Sequence, residues 1–332
     1  MGGDHGPKAT VAGAAECLRR FSGDVRFQLY GNRAEIDPIL AKHKKLQDAA
    51  TIFHTDKVVS GDEKPSQALR SGKGSSMQLA IEAVANGEAD AIISSGNTGA
   101  LMAMAKLGLR TLPDIRRPAI ASVFPCENGE TIMLDLGANT ICDSDNLVQF
   151  ALLGAVFAKS VKGVNRPTVG LLNVGTEEMK GNDQIRVASD ILRTMEHFPG
   201  VYYGYIEGND IPAGTVNVVV TDGFTGNIAL KVAEGTAEFV GQLVRNALKS
   251  SPMAMLGALF ARPALHKMRT RVDPRFYNGG MFLGLNGICV KSHGRSDAYA
   301  FSRALLNAAT MVQNNYNQKV AAELAALTEP GS

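Results

Sequence analysis

The chain has no apolar run long enough for a bilayer, no paired cysteines and almost no net charge. Its longest lipid-like stretch, MAMLGALFA at 253–261, falls well short of the roughly 20 residues a spanning helix needs. Cys17, Cys126, Cys142 and Cys289 lie far apart with no CxxC pair. That argues against a structural zinc site or a disulfide framework and fits a reducing cytoplasm. A formal net charge of +2 over 332 residues argues against a dedicated nucleic-acid binder, which carries a strong basic excess. The opening residues, MGGDHGPKAT, lack the basic and apolar regions of a signal peptide, and Gly6 stands where a myristoylation motif needs Ser or Thr. Named catalytic signatures are missing too. There is no GxGxxG, no GxxxxGK followed by Ser or Thr, and no HExxH, while GRSDA at 294–298 lacks the second glycine of a GxSxG elbow.

Glycine, by contrast, is plentiful: 35 residues, gathered at strand ends where backbone can approach a ligand. β-Branched runs predict strands at 25–31, 50–55, 89–95, 119–125, 131–136, 168–175, 201–208 and 216–222. Helical patterns follow at 7–20, 66–71, 75–86, 99–110, 144–160, 183–197 and 226–250, with a final helix over 296–325. The alternation predicts an α/β protein, a largely parallel sheet with helices on both faces. No linker divides it, so residues 1–332 are expected to form one α/β unit, with any two lobes built from a continuous fold. Residues 250–285 break the pattern as an amphipathic, basic insertion: Arg262, Lys267, Arg269, Arg271 and Arg275 stand against Asp273. Dimer packing and membrane contact are equally open readings of this segment.

Four predicted strands end in polar turns. SSGNTG (94–99) presents Gly96, Asn97 and Thr98; LDLGAN ends at Asn139; NVGTEEMKGND carries Lys180 and Asn182; TDGFTGN carries Asp222, Thr225 and Asn227. In an open parallel sheet, ligands bind outside the carboxyl ends of the strands. Backbone N–H groups freed by glycine, together with helix N-termini, suit an oxyanion. Any one such loop is more simply a turn with a helix cap. Four of them, with a lysine among them, favour the anion site. His293, in KSHGRSD, is a further candidate. Asp135 and Asp222 are open to two readings, acid–base groups or caps. Cys142 has no neighbouring base to activate it, which discounts a covalent acyl-cysteine.

MGGDHGP, KPSQALRSGKGSSM, SSGNTGALMA, LDLGAN, GLLNVGTEEMKGND, IEGNDI, VVVTDGFTGNIALK, YNGGMFLGLNG and KSHGRSDAYAF occur in this order. Together they resemble the bacterial phosphate acyltransferases of phospholipid synthesis, the acyl-carrier-protein:phosphate transacylases, over nearly the whole chain. The resemblance implies a three-layer α/β/α fold, similar to phosphate acetyltransferase and the isocitrate and isopropylmalate dehydrogenases, working as a homodimer in the cytoplasm. It implies attack of inorganic phosphate on the thioester of a long-chain acyl carrier protein, with no metal, cofactor or protein nucleophile. Lys180 with Asn182 would bind phosphate or polarise the thioester carbonyl, and Asn227 with Thr225 would complete the donors, oriented by Asp222. Gly96, Asn97 and Thr98 would line the phosphate cradle, supported by Asn139. Contact with the membrane glycerol-3-phosphate acyltransferase and peripheral membrane association follow as expectations. The family carries a short strand before MGGD, and here that Met is residue 1; the Gly2-Gly3-Asp4 loop is therefore expected to be poorly anchored. Rival readings are an acyl-CoA:phosphate acyltransferase, a nicotinamide-dependent dehydrogenase needing a carboxylate cluster not found here, and a non-catalytic acyl-carrier-binding scaffold.

Overall fold

The structure, a computed structural model, describes residues 2–328. α1 (Gly6–Arg20), with Pro7 in its first turn, leads into β1 (Phe27–Gly31), α2 (Arg33–Leu40), α3 (Lys44–Ala49) and β2 (Ala50–His54). There follow α4 (Pro65–Ser71), α5 (Ser76–Ala85), β3 (Ala91–Ser94), α6 (Thr98–Leu109), β4 (Ala119–Cys126) and β5 (Gly129–Leu134). Next come α7 (Ser144–Ser160), β6 (Thr168–Leu172), α8 (Asp183–Thr194), β7 (Val201–Ile206), α9 (Asp210–Ala213) and β8 (Val218–Val220). The last part holds α10 (Gly223–Leu248), α11 (Pro252–Phe260), α12 (Arg262–Val272), β9 (Gly280–Leu283), β10 (Ile288–Lys291), α13 (Ala298–Gln313) and α14 (Tyr316–Thr328).

β1 and β2 pair in parallel as a separate small sheet, and the other eight strands form one sheet in the order β3-β10-β9-β4-β5-β8-β6-β7. Helices cover both faces. Along β8, Val218 and Val220 pack with Phe150, Leu153 and Tyr316 of α7 and α14, while Val219 packs on the other side with Ile81, Leu101 and Phe282. A strand buried on both faces reads as an unbroken apolar run. The α/β class and its flanking helices therefore stand as expected.

Strand direction is the finding that sequence did not supply. β3–β10 pair in parallel, as do β5–β8, β8–β6 and β6–β7, but the β10–β9–β4–β5 stretch is antiparallel. β3 thus runs opposite to β5, β6 and β8, so its carboxyl end lies at the other end of the sheet. The idea that all four polar turns share one strand-end crevice is corrected here. Two smaller differences follow from local chemistry. α10 starts at Gly223, earlier than expected, because Asp222 caps it. The final helix is broken after Gln313, where Asn315 takes a φ of 51°, a left-handed conformation that Asn tolerates better than most residues.

Candidate functional site

At the carboxyl ends of β5 and β8, two loops are locked together by hydrogen bonds, and the loop after β6 lies beside them. The carboxylate of Asp135, wholly buried, accepts from the backbone N–H groups of Ile120 (2.9 Å), Gly137 (3.2 Å), Ala138 (3.0 Å) and Asn139 (2.6 Å), and from Asn139 Nδ2 (3.0 Å). Burial pushes its pKa up, and these donors oppose the shift. The residue holds the 135–139 turn in shape. Asn139 is buried as well; its amide also donates to Pro118 O (2.8 Å), and its carbonyl accepts from Gly223 N (2.7 Å), tying the turn to the start of α10.

Asp222 caps α10, accepting from Phe224 N and Thr225 N (2.9 Å each) and from the Thr225 hydroxyl (2.7 Å). One turn on, Asn227 Nδ2 donates to Leu136 O (3.1 Å) directly over Gly137, where a Cβ would meet that nitrogen at 2.9 Å. Asn182 caps α8 by accepting from Ile185 N (3.0 Å). Beneath the 174–182 loop, Asn173 Nδ2 donates to Lys180 O (3.2 Å), and Gly181 is left-handed at φ 85°. The ammonium of Lys180 is exposed and forms no ion pair among the described residues.

These loops bring the N-termini of α7, α8 and α10 to one cavity of about 480 Å³. Asn182, Asp222 and Thr225 line it beside Leu171, Val220 and Cys142. Partial positive charge from helix N-termini suits an anion or a developing oxyanion there. The Cys142 thiol is pushed up to about 11, first by burial and then by the charge of Asp135, so it stays protonated at neutral pH.

The turn after β3 forms a second cluster. Asn97 caps α6 through Ala100 N (3.0 Å) and donates to the carbonyls of Ser60 (3.4 Å), Gly61 (3.0 Å) and Glu63 (2.8 Å), so its amide is engaged within the protein. A cavity of about 690 Å³ lies beside this clamp, between Lys57, Ser60, Glu63, Gln67 and Ser75. Thr98 is exposed in the first turn of α6. The Gly2-Gly3-Asp4 loop is anchored after all: Ser95 Oγ donates to Gly2 O (3.0 Å) and Asp4 N to Gly294 O (2.8 Å). Lys291, at the end of β10, reaches in from behind, with Nζ 3.4 Å from Ser95 O. Burial pushes its pKa down to about 8, opposed by the charge of Asp4. His293 is exposed beside it, and partial burial of the ring followed by the ammonium of Lys231 lowers its pKa.

The structure therefore brings Asn139, Asn182, Asp222, Thr225 and Asn227 together with Lys180 at one strand end. Gly96, Asn97, Thr98 and His293 gather at the other. α10 links the two clusters, because Asn227 and Lys231 stand four residues apart on one helix face. The first sits over the Gly137 turn, while the second acts on His293. Lys291 and Lys231 were not picked out in the sequence. The KSHGRSD motif pointed to the neighbourhood, but only the register Lys291↔Ser94 puts that lysine behind the SSGNTG turn.

The profile of the family described as "Fatty acid synthesis protein" matches residues 1–319. The phosphate acyltransferase of Rhodospirillum centenum is 54% identical over 327 residues, covering 98% of this chain and 92% of the relative. That of Caulobacter vibrioides is 51% identical over 329 residues, covering 99% and 91%. Among solved structures, a phosphotransacetylase from Streptococcus pyogenes superposes with a TM-score of 0.58 at 17% identity, covering 92% of each chain. The EutD phosphotransacetylase from Staphylococcus aureus gives 0.54 at 16% identity, covering 92% of this chain and 99% of that one. These two likenesses show the fold. The chain belongs to the phosphate acyltransferase family and is an acyltransferase of lipid synthesis.

Proposed function

We propose that this family member moves a long-chain acyl group from acyl carrier protein to inorganic phosphate. A phosphate oxygen bonds to the thioester carbonyl carbon, the C–S bond breaks, and the phosphate's proton passes to the departing thiolate. The products are acyl phosphate and free carrier thiol. With a reference thiol pKa of about 8.5, the leaving group needs no strong general acid.

The observation that carries the reading is the convergence of three helix N-termini on a cavity rimmed by Asn182 and Thr225, with the unpaired ammonium of Lys180 on the adjoining loop. Preorganised donors of this kind stabilise the oxyanion of acyl transfer. In this reading Lys180 and Asn182 face the phosphate or the carbonyl oxygen, Asn227 adds the amide hydrogen not given to Leu136 O, and Asp222 fixes Thr225 by accepting its hydroxyl hydrogen. Gly96 and Thr98 line the phosphate approach, with His293 beside them. Asn97 and Asn139 hold loops in place.

The test follows acyl phosphate by hydroxylamine trapping, with acyl carrier protein or acyl-CoA as donor. Lys180→Ala and Asn227→Ala are each expected to lose about 10²–10³ in kcat. Near-normal turnover in both, with the fold intact, would remove the site. Product from acyl-CoA alone would make the donor coenzyme A, and no product from either would leave an acyl-carrier-binding scaffold.

The reading includes a homodimer in the cytoplasm, peripheral on the membrane and in contact with the glycerol-3-phosphate acyltransferase that consumes the product. Its support is the exposed apolar row Val232, Phe239, Leu243, Met253, Leu256 and Phe260 on α10 and α11. Among the described residues, no helix is long and apolar enough to cross a membrane.

A further inference from the structure

Met179, Ile141 and Val174 are the most exposed large apolar side chains outside α10 and α11 among the described residues, at 89%, 81% and 78%. All three stand on loops at the cavity where β5, β6 and β8 end. Ile141 lines that cavity, and so does Phe224 in the first turn of α10, itself 60% exposed. Val174 and Met179 lie on the loop after β6, which carries Lys180 and leads to Asn182 on the cavity lining. The deeper lining is apolar as well: Leu171 and Val220 near the ends of their strands, and Leu147 in the first turn of α7, are all buried. Few bonds hold the loop. Asn173 Nδ2 donates to Lys180 O (3.2 Å), Arg186 to Gly181 O (2.9 Å) and Arg193 to Glu178 (3.0 Å). Asn173 Oδ1, buried beneath it, meets no hydrogen-bond donor among the described residues, a cost that a shift of the loop can relieve. Apolar side chains gathered around a cavity and left in water mark a surface that something apolar covers.

We propose that the acyl chain of the donor lies across this rim, between Ile141 and Phe224, with Met179 and Val174 closing over it, so that these four side chains set the chain length the protein accepts. This deepens the proposed reaction and rests on it for the identity of the occupant. The reacting carbon has to stand among Asn182, Thr225 and Lys180, and the chain is bonded to that carbon. It therefore leaves the polar groups along the apolar surface next to them, and Ile141 and Phe224 line the same cavity as Asn182 and Thr225. Thioester, phosphate and chain then share one locus. Covering each methylene gains up to about fourfold in affinity, so a long chain is held far more tightly than a short one. Methionine on the closing loop suits this role, because its unbranched thioether adapts to chains of different shape.

The experiment compares a hexadecanoyl with a hexanoyl donor, each as a carrier-protein and as a CoA thioester. Calorimetry in phosphate-free buffer reads binding without transfer, and hydroxylamine trapping reads turnover once phosphate is added. Ile141→Ser with Phe224→Ser strips the lining rim, Val174→Ser with Met179→Ser strips the loop, and Leu107→Ser, exposed on α6, is the control. All five side chains are exposed, so the variants are expected to fold. Each pair should weaken hexadecanoyl binding and raise its KM by roughly tenfold or more, the worth of about two methylenes left in water. The hexanoyl donor, which covers less of the rim, should change by about threefold at most. Leu107→Ser should alter neither. An equal loss for both chain lengths on the carrier protein, absent with CoA, would make the rim a docking face for that protein and overturn the seat. Altered sedimentation with an unaltered chain preference would make it a contact between copies, and overturn it too. So would a lack of donor binding by the unsubstituted protein. Turnover that keeps its chain preference in both pairs refutes the seat and spares the reaction. Chain-selective binding that both pairs abolish, with no acyl phosphate formed, refutes the reaction and spares the seat.

Discussion

Asn97 is expected to be a staple and not a ligand donor, and its replacement tests that in numbers. Its carbonyl oxygen caps α6, a bond whose loss costs about 1 kcal/mol. Its two amide hydrogens are shared among the carbonyls of Ser60, Gly61 and Glu63, and each net bond contributes about 1 kcal/mol. Asn97→Ala should therefore destabilise by about 3 kcal/mol, a fall of roughly 4 °C in midpoint for a chain of this size. Asn97→Ser keeps the cap and should lose about 2 kcal/mol. Asn97→Asp also keeps the cap, but its carboxylate faces three carbonyl oxygens, so it should fall at or below Ser despite a favourable helix dipole. Thermal midpoints and hydrogen exchange around residues 60–64 would read this, with faster exchange there in Ala and Asp and little change inside α6. An Asp variant as stable as the unsubstituted protein would show that the three carbonyl contacts count for nothing. Unchanged stability in Ala, with a phosphate KM raised more than tenfold, would return Asn97 to the ligand.

Three further outcomes separate packing from surface. A Cβ on Gly226 would stand 1.9 Å from the carbonyl oxygen of Asp135, so Gly226→Ala must push α10 off the 135–139 turn and is expected to cost about 3 kcal/mol or more by urea unfolding. Gly235 lies exposed on the same helix with nothing near its Cβ position, and Gly235→Ala should stabilise by about 0.5–1 kcal/mol. On α11, Leu256→Glu with Phe260→Glu places two charges on an exposed apolar face. Vesicle flotation should then fall while turnover on soluble acyl carrier protein holds; a change in oligomeric state alone would make the face a dimer contact.

Some of this molecule can be read directly from its residues, and the reason is local. TIMLDL, TVGLL and VNVVV are β-branched runs closed by Gly, Asn or Asp, and each became a central strand with a polar loop at its carboxyl end. α7 shows its helical pattern because nearly all of it is buried between the sheet and α14. β9 and β10 are four residues each, GMFL and ICVK, too short to display a period. Pairing β10 to β9 and β9 to β4 reverses direction twice, so β10 and β4 run the same way. The net reversal comes at the antiparallel β4–β5 pair, joined through Glu127-Asn128. That hairpin is local, with Asn128-Gly129 at its turn, whereas the placing of β9 and β10 between β3 and β4 joins partners far apart in the chain, and no local pattern encodes it.

The same limit explains the candidate residues. Asn and Asp at a strand-to-helix junction serve equally as helix caps and as ligand donors, because both roles ask for the same groups in the same place. Asn97, Asn139, Asn182 and Asp222 all make intramolecular bonds there. Lysine is different: it has no capping role at an N-terminus, so its position carries information that Asn does not. Lys180 sits on a loop held by Asn173, and Lys291 is held behind the opposite turn by pairing with β3. An acyl transfer to phosphate needs charge at two places, on the attacking anion and on the carbonyl oxygen that becomes anionic. Those two places lie a bond length apart, so Lys291 on β10 and Lys180 beyond β6, five positions apart in the sheet, cannot both supply one reaction.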